Sequence, residues 1–155
     1  MSDSQTERFD LAVVGAGGAG TMAHLRGVLN RDRSVIFLGD AKSRKKGRAT
    51  WVFEVDNIPG MHGLNRPITS TSASTLEWIA SQPELAELSH TVKAAVSRIE
   101  PSERGFVVRY SERKEERSLL ADFVILATGV MDVQPEIRGS IQPILPFANR
   151  GDVLY

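Results

Sequence analysis

Apolar and polar positions alternate between two textures along this chain. Phe9–Val14 (Phe-Asp-Leu-Ala-Val-Val) is a short, nearly continuous apolar run. Such a run predicts a strand buried on both faces, as in a parallel sheet. Gly15–Gly20 follows as a glycine-rich turn. The spacing of Met22, Leu25, Val28 and Leu29 then predicts a helix over Thr21–Asn30. Arg31-Asp32-Arg33 breaks the pattern, and Ser34–Leu38 reads as a second buried strand. Strand, turn, helix and strand in this order form a βαβ unit with a right-handed crossover.

Gly39–Ser70 carries no period and is punctuated by Gly47, Pro59, Gly60, Gly63 and Pro67. A long loop of this kind is a candidate for ligand contact. The Ser/Thr cluster Thr69–Thr75 is expected to cap a helix over Leu76–Ser81. Pro83 is expected to start a second short helix through Leu88. From Thr91 the texture changes to strands: Val92–Ile99, Gly105–Ser111 and Ser118–Leu126, separated by polar turns at 100–104 and 112–117. The last strand runs into Ala127-Thr128-Gly129. The expected architecture is α/β and Rossmann-like. It has a parallel sheet, one helix on one face and a three-stranded β-meander on the other.

Composition narrows the function classes. The chain of 155 residues is 41% hydrophobic and 25% charged, with 19 basic and 19 acidic residues. That balance argues against a nucleic-acid surface. The basic run Lys42–Arg48 reads as a solvated loop. There is no cysteine, so the sequence holds neither a disulfide scaffold nor a redox dithiol. No apolar run reaches the ~20 residues of a membrane span, and Met1–Asp10 lacks a signal-peptide core. Residues 1–8 are expected to form a disordered leader, and the cytoplasm is the expected compartment. His24, His62 and His90 are scattered and suggest no metal triad. Trp51 and Trp78 read as packing residues.

The strongest chemical signal is Gly15-Ala16-Gly17-Gly18-Ala19-Gly20, a G-x-G-x-x-G between an expected strand and an expected helix. Gly15 permits the tight turn. Gly17 lets a pyrophosphate approach the backbone, and Gly20 lets the helix pack on the strand. Free N–H groups at a helix start attract anions. A turn packed tightly for its own sake is the alternative. An acid should end the second strand and bond a ribose. Here Gly39 occupies that place and Asp40 follows, so Asp40 reads equally as ribose ligand or as a turn residue.

Three stretches resemble the thioredoxin-reductase-like FAD/NAD(P)-dependent oxidoreductases. They are Phe9–Gly20, Asp56-Asn57-Ile58-Pro59-Gly60, and Ala121–Gly129 with its terminal Ala-Thr-Gly. An ordinary strand-ending turn is the alternative for the last. The resemblance implies an N-terminal FAD-binding portion over 9–145, with 146–155 as a truncated approach to an absent NADPH domain. It implies that Gly15, Ala16, Gly17, Gly18, Ala19 and Gly20 hold the FAD pyrophosphate. Gly39 and Asp40 would lie at the ribose and Val92 near the adenine. Asn57, Pro59 and Gly60 would lie near the isoalloxazine, and Ala127, Thr128 and Gly129 where the chain passes the cofactor.

A complete member would carry NADPH on a second glycine-rich turn, and this sequence contains no second G-x-G-x-x-G. Two functions follow. One is the FAD-binding portion of an enzyme passing electrons from NAD(P)H through FAD to a small-molecule substrate. The other is a nucleotide-binding or regulatory module, or a fragment, without turnover. A plain NAD-binding domain would need helices alternating with strands after Asp40. An incomplete sheet would leave an edge open to a second copy of the chain or to a complementary segment.

Overall fold

The computed structural model describes residues 6–40 and 67–130. Strand β1 (Arg8–Val14) leads through the glycine turn into α1 (Gly18–Leu29) and back along β2 (Ser34–Phe37). Helix α2 (Ile68–Ser81) and the short α3 (Pro83–Ala86) precede β3 (Ser89–Val92). Strands β4 (Ala95–Ser102), β5 (Gly105–Glu112) and β6 (Glu115–Leu126) complete the described part. All six strands form one sheet in the order β3-β2-β1-β6-β5-β4. β1 lies between β2 and β6, parallel to both. β3 runs parallel to β2, whereas β4, β5 and β6 pair antiparallel. The α/β, Rossmann-like architecture with a β-meander is the one the sequence pattern implied.

Both faces of β1 and β2 are covered, which explains their continuous apolar runs. On one face Phe9, Ala12, Val35 and Phe37 pack against Val108, Leu119 and Ala121 of the meander. The Phe37 and Tyr110 rings meet edge-on at 5.1 Å. On the other face Leu11, Val13 and Ile36 pack beneath Ala23 of α1 and Leu76 of α2. Val35, Ile36, Val13 and Val28 are fully buried. Each such side chain contributes about 1.5–3 kcal/mol of transfer free energy. The layer order is helices, sheet, then curled meander.

Several elements differ from the sequence reading. Strand β1 begins at Arg8 rather than Phe9, and the Glu7 carbonyl before it accepts the Leu120 N–H at 2.9 Å. Helix α1 starts at Gly18, not Thr21, because the last glycines of the motif already form its first turn. Its buried face is Gly20, Thr21, His24, Gly27 and Val28, while Met22 and Leu29 of the expected apolar stripe are exposed. The Ser/Thr cluster lies inside α2 rather than capping it. Ser74 and Thr75 satisfy their hydroxyls on the carbonyls of Ser70 and Thr71, a local bond that lets such residues sit within a helix. Two helices therefore cover the face where one was expected.

The run Val92–Ile99 is two strands. Leu38 donates to the Val92 carbonyl at 2.9 Å and closes β3 beside β2. Lys93 and Ala94 turn the chain, and β4 begins the meander at Ala95. Arg31 holds φ 74 at the end of α1. There Asp32 donates to the Gly27 carbonyl (3.0 Å) and Arg31 to that of Val28 (3.1 Å), a left-handed helix stop of Schellman type. No helix among the described residues is long and apolar enough to cross a membrane.

Candidate functional site at the first strand-to-helix corner

The chain steps from β1 outward to β2 and β3 on one side, while β6 lies on the other. The carboxyl ends of β1 and β6 therefore flank the point where strand order reverses. In open α/β sheets that crevice is where ligands bind.

The glycine turn sits there, shaped by contacts that leave almost no room. Gly15 holds φ +108, and its N–H donates to the Phe37 carbonyl at 3.0 Å. A side chain on Gly15 would run into the Ala127 carbonyl, and a methyl on Gly20 would overlap the Gly15 carbonyl. The Ala127 N–H in turn donates to the Val14 carbonyl at 2.8 Å. The two most specific sequence stretches, glycine turn and Ala-Thr-Gly, thus meet in space. Ala127 packs under the turn, and Thr128 and Gly129 stand exposed beyond it, Gly129 at φ +70.

Gly17 differs from its neighbours. Among the described residues a methyl there would meet no heavy atom within 4 Å, so the space above it is open. Gly17 is the N-cap of α1, and no side chain caps the helix. No acidic residue lies in the first turn. The first internal bond is Thr21 N–H to the Gly17 carbonyl, 2.9 Å. The N–H groups of Gly18, Ala19 and Gly20 therefore precede the helical ladder, and the dipole places about half a positive charge there. Gly18 lies against Ile68, so α2 begins beside α1 at the same end of the sheet. The open space at Gly17 and the uncapped amides fit a diphosphate better than a turn closed on itself.

The remaining expected residues divide into two groups. Gly39 follows β2, half-buried, and Asp40 is exposed just after it. Val92 ends β3 opposite Phe37, its side chain packed on the meander face and its carbonyl taken by Leu38. Asn57, Pro59 and Gly60 lie outside the described residues, as do His62, Trp51, the basic run and 131–155. Trp78 is 48% exposed, beside Leu29 and Pro83 in a groove at the far end of α1.

His24 went unmarked as a structural centre in the sequence. It is fully buried, and its Nδ1 lies 2.8 Å from Ser34 Oγ and its Nε2 2.7 Å from Ser89 Oγ. Burial, with a smaller contribution from nearby His90, pushes its pKa down to about 4. It is therefore neutral at neutral pH. The available signal was its spacing: Gly20, His24 and Gly27 share one helix face. Two glycines on that face mark a close seat rather than an apolar stripe.

No protein-family profile matches this sequence. No curated protein matches it either. Solved structures do match. An oxidoreductase from Agrobacterium tumefaciens superposes with TM-score 0.66 at 24% identity, over 85% of this chain and 40% of that one. Thioredoxin reductase from Gloeobacter violaceus gives 0.64 at 21%, over 93% and 40%. That of T. acidophilum gives 0.66 at 19%, over 86% and 39%. The chain spans about two fifths of the length of each. Its fold is the Rossmann-like α/β fold that these thioredoxin-reductase-like oxidoreductases use over that portion of their length.

Proposed function

We propose that this chain binds FAD at the first strand-to-helix corner and serves as the FAD-binding portion of a flavin-dependent oxidoreductase. One observation carries the reading: uncapped main-chain amides of α1 border open space at Gly17, against the end of β6. In the proposed complex the backbone of Gly15–Gly20 holds the diphosphate. Gly39 and Asp40 border the adenosine ribose, and the β3 end near Val92 borders the adenine. Ala127, Thr128 and Gly129 line the path toward the flavin, with Asn57, Pro59 and Gly60 at its ring. Bound FAD would supply hydride and electron chemistry, from NAD(P)H toward a substrate. The residues of this chain bind and orient it, and none is assigned a proton transfer.

A second reading keeps the site and drops turnover. Both readings share the Gly15–Gly20 corner and differ only in whether electrons pass through the flavin it holds. Adding NADPH anaerobically to FAD-loaded protein expressed from the whole reading frame that encodes this chain separates the two. Bleaching of the flavin band supports the enzyme, and bleaching only by a chemical reductant supports the binding module.

Gly17→Val tests the site itself. Among the described residues nothing lies within 4 Å of the new Cβ, so folding should survive. The branched side chain would fill the anion's place and weaken FAD binding about tenfold or more, on the scale of one lost charge-assisted hydrogen bond. Titration of protein into FAD, followed by flavin fluorescence and by the absorbance band near ~450 nm, measures it. Equal affinity of the variant and the unaltered chain would remove the diphosphate from this corner.

A further inference from the structure

Three points on one face of α1 fix how the helix sits on the sheet. At its N-terminal end Gly20 lies against the Gly15 carbonyl. At its C-terminal end a methyl on Gly27 would stand 2.9 Å from Leu11 Cδ2 and 3.6 Å from Ser34. Between them His24 reaches Ser34 on β2 and Ser89 on β3. The glycines set only how near the helix comes, since they carry no directional group. The Thr21 hydroxyl on this face bonds the Ala16 carbonyl of the turn (3.3 Å), whereas among the described residues the imidazole is the group that bonds the face to the strands. Its two nitrogens point to hydroxyls on adjacent strands, so rotating the helix about its axis breaks one bond or the other.

The protonation pattern suits a fixed pin. A neutral imidazole offers one donor and one acceptor, and each serine hydroxyl supplies the complementary role. All three polar groups are then satisfied out of water. Removing the ring nitrogens would strand two buried or half-buried hydroxyls, which costs more than the bonds themselves.

We propose that His24 is a positioning residue for the anion cradle, setting the roll and height of α1 and so the aim of the Gly18–Gly20 amides. The proposal rests on the FAD-binding reading for its ligand, though not for its geometry. His24 stands four residues beyond Gly20, about one helical turn of 5.4 Å. Because Gly20 already touches the Gly15 carbonyl, a roll at His24 cannot be absorbed there and must move the turn.

Few charges near His24 compete with this role. β2 brings no ionisable side chain and β3 brings His90. On β1, Asp10 is exposed and accepts the Arg33 N–H, while Arg8 pairs with Asp122. On α2, Glu77 is exposed, and on α3 Glu84 pairs with Arg31. Arg26 of α1 is exposed.

The test uses the full chain with His24→Leu, His24→Gln and Ser89→Ala. Leucine keeps bulk and loses both nitrogens, whereas glutamine keeps a donor and an acceptor. FAD affinity is measured by fluorescence titration, and the Gly17, Gly18 and Gly20 amides by ¹⁵N spectra without nucleotide. His24→Leu should weaken FAD binding about tenfold and shift those amides, the scale of losing one buried hydrogen bond. His24→Gln should restore affinity to within about threefold. Should His24→Leu fail to fold, Ser89→Ala, which removes one contact only, should show the same change at smaller size. Folded variants with unaltered affinity and unmoved glycine amides would overturn the proposal and leave FAD binding standing. If the unaltered chain fails to bind FAD while the glycine amides still respond to position 24, the pin stands and the nucleotide reading falls.

Discussion

The two halves of β6 are one strand in opposite surroundings. Its first half pairs on both sides near Leu119–Ala121, with β5 and β1, and Leu119 and Ala121 are buried. β5 pairing ends at Ala121, and from Asp122 on the strand pairs with β1 alone. Phe123 is 70% exposed and Leu126 67%. Yet the bare half, Phe-Val-Ile-Leu, is the more apolar; the first half opens with Glu115-Glu116-Arg117-Ser118. Phe123 and Ile125 pair with Leu11 and Val13, which face the helices. Among the described residues α1 and α2 cover β1 and β2, and α1 reaches β6 far less. Apolar content thus reports the layers a strand is suited to, while exposure reports the layers present.

The sharpest way to probe this contrast is in the covered half. Leu119→Ala would open a cavity between meander and sheet, where the side chain is 2% exposed. The expected cost is about 3 kcal/mol, the usual range for a buried leucine. Urea unfolding of the variant against the unaltered chain measures it. A cost below about 1 kcal/mol would show the meander face to be loosely packed.

A smaller effect, tied to pH, belongs to the helix side that β6 lacks. His24 titrates near its ordinary value of 6.5 when unfolded and at about 4 when folded. Above the unfolded value both states are neutral, and the full stability is present. As pH falls from 6.5 toward 4, the unfolded chain takes up a proton that the folded chain refuses, so stability drops. The whole window is worth about 3 kcal/mol, and only part of it is lost by pH 5. Carboxylates titrate in the same region, so the informative quantity is the difference from His24→Gln. The variant should show a flatter profile between pH 7 and 4.5, and identical profiles would mean that the buried imidazole is not what titrates.

How much of this was legible in the sequence follows from the reach of each signal. The βαβ unit was readable because a strand buried on both faces and a glycine turn are local patterns. The meeting of Gly15 with Ala127 was readable only as a resemblance, since no local rule links residues so distant in the chain. The seat of α1 was misread because its buried face is made of Gly20, Thr21, His24 and Gly27, which a hydrophobic pattern does not register. The hydroxyls that satisfy His24 lie on β2 and β3, and their approach depends on parallel pairing that no single strand encodes. The split of Val92–Ile99 escaped for a similar reason: an apolar run cannot say which neighbour each part will take.

The turn feeding β6 offers a smaller, stabilising change. Arg113 and Lys114 both hold positive φ, 52 and 72, in the two-residue hairpin between β5 and β6. That geometry suits Asn-Gly and strains longer side chains. Lys114→Gly should therefore raise stability by about 1 kcal/mol, visible as a higher urea midpoint at unaltered slope. An unchanged or lower midpoint would show that the strain is already relieved by the surrounding charges, among them the Arg117–Glu112 pair at 3.1 Å.

The smallest expected effect bears most directly on the bare half of β6. Phe123→Thr keeps a strand-favouring residue and removes a ring that folding leaves 70% exposed. Little apolar area is returned to water, so the cost should stay under about 0.5 kcal/mol. A loss of about 2 kcal/mol or more would instead show that the ring is covered in solution. Protein concentration then identifies the cover. A loss that grows with concentration of the unaltered chain points to a second copy pairing along the free edge, because association stabilises by mass action. A loss independent of concentration points to residues of the same chain. A negligible loss accompanied by reduced aggregation would leave the contrast as drawn, with an apolar edge facing water and prone to pair.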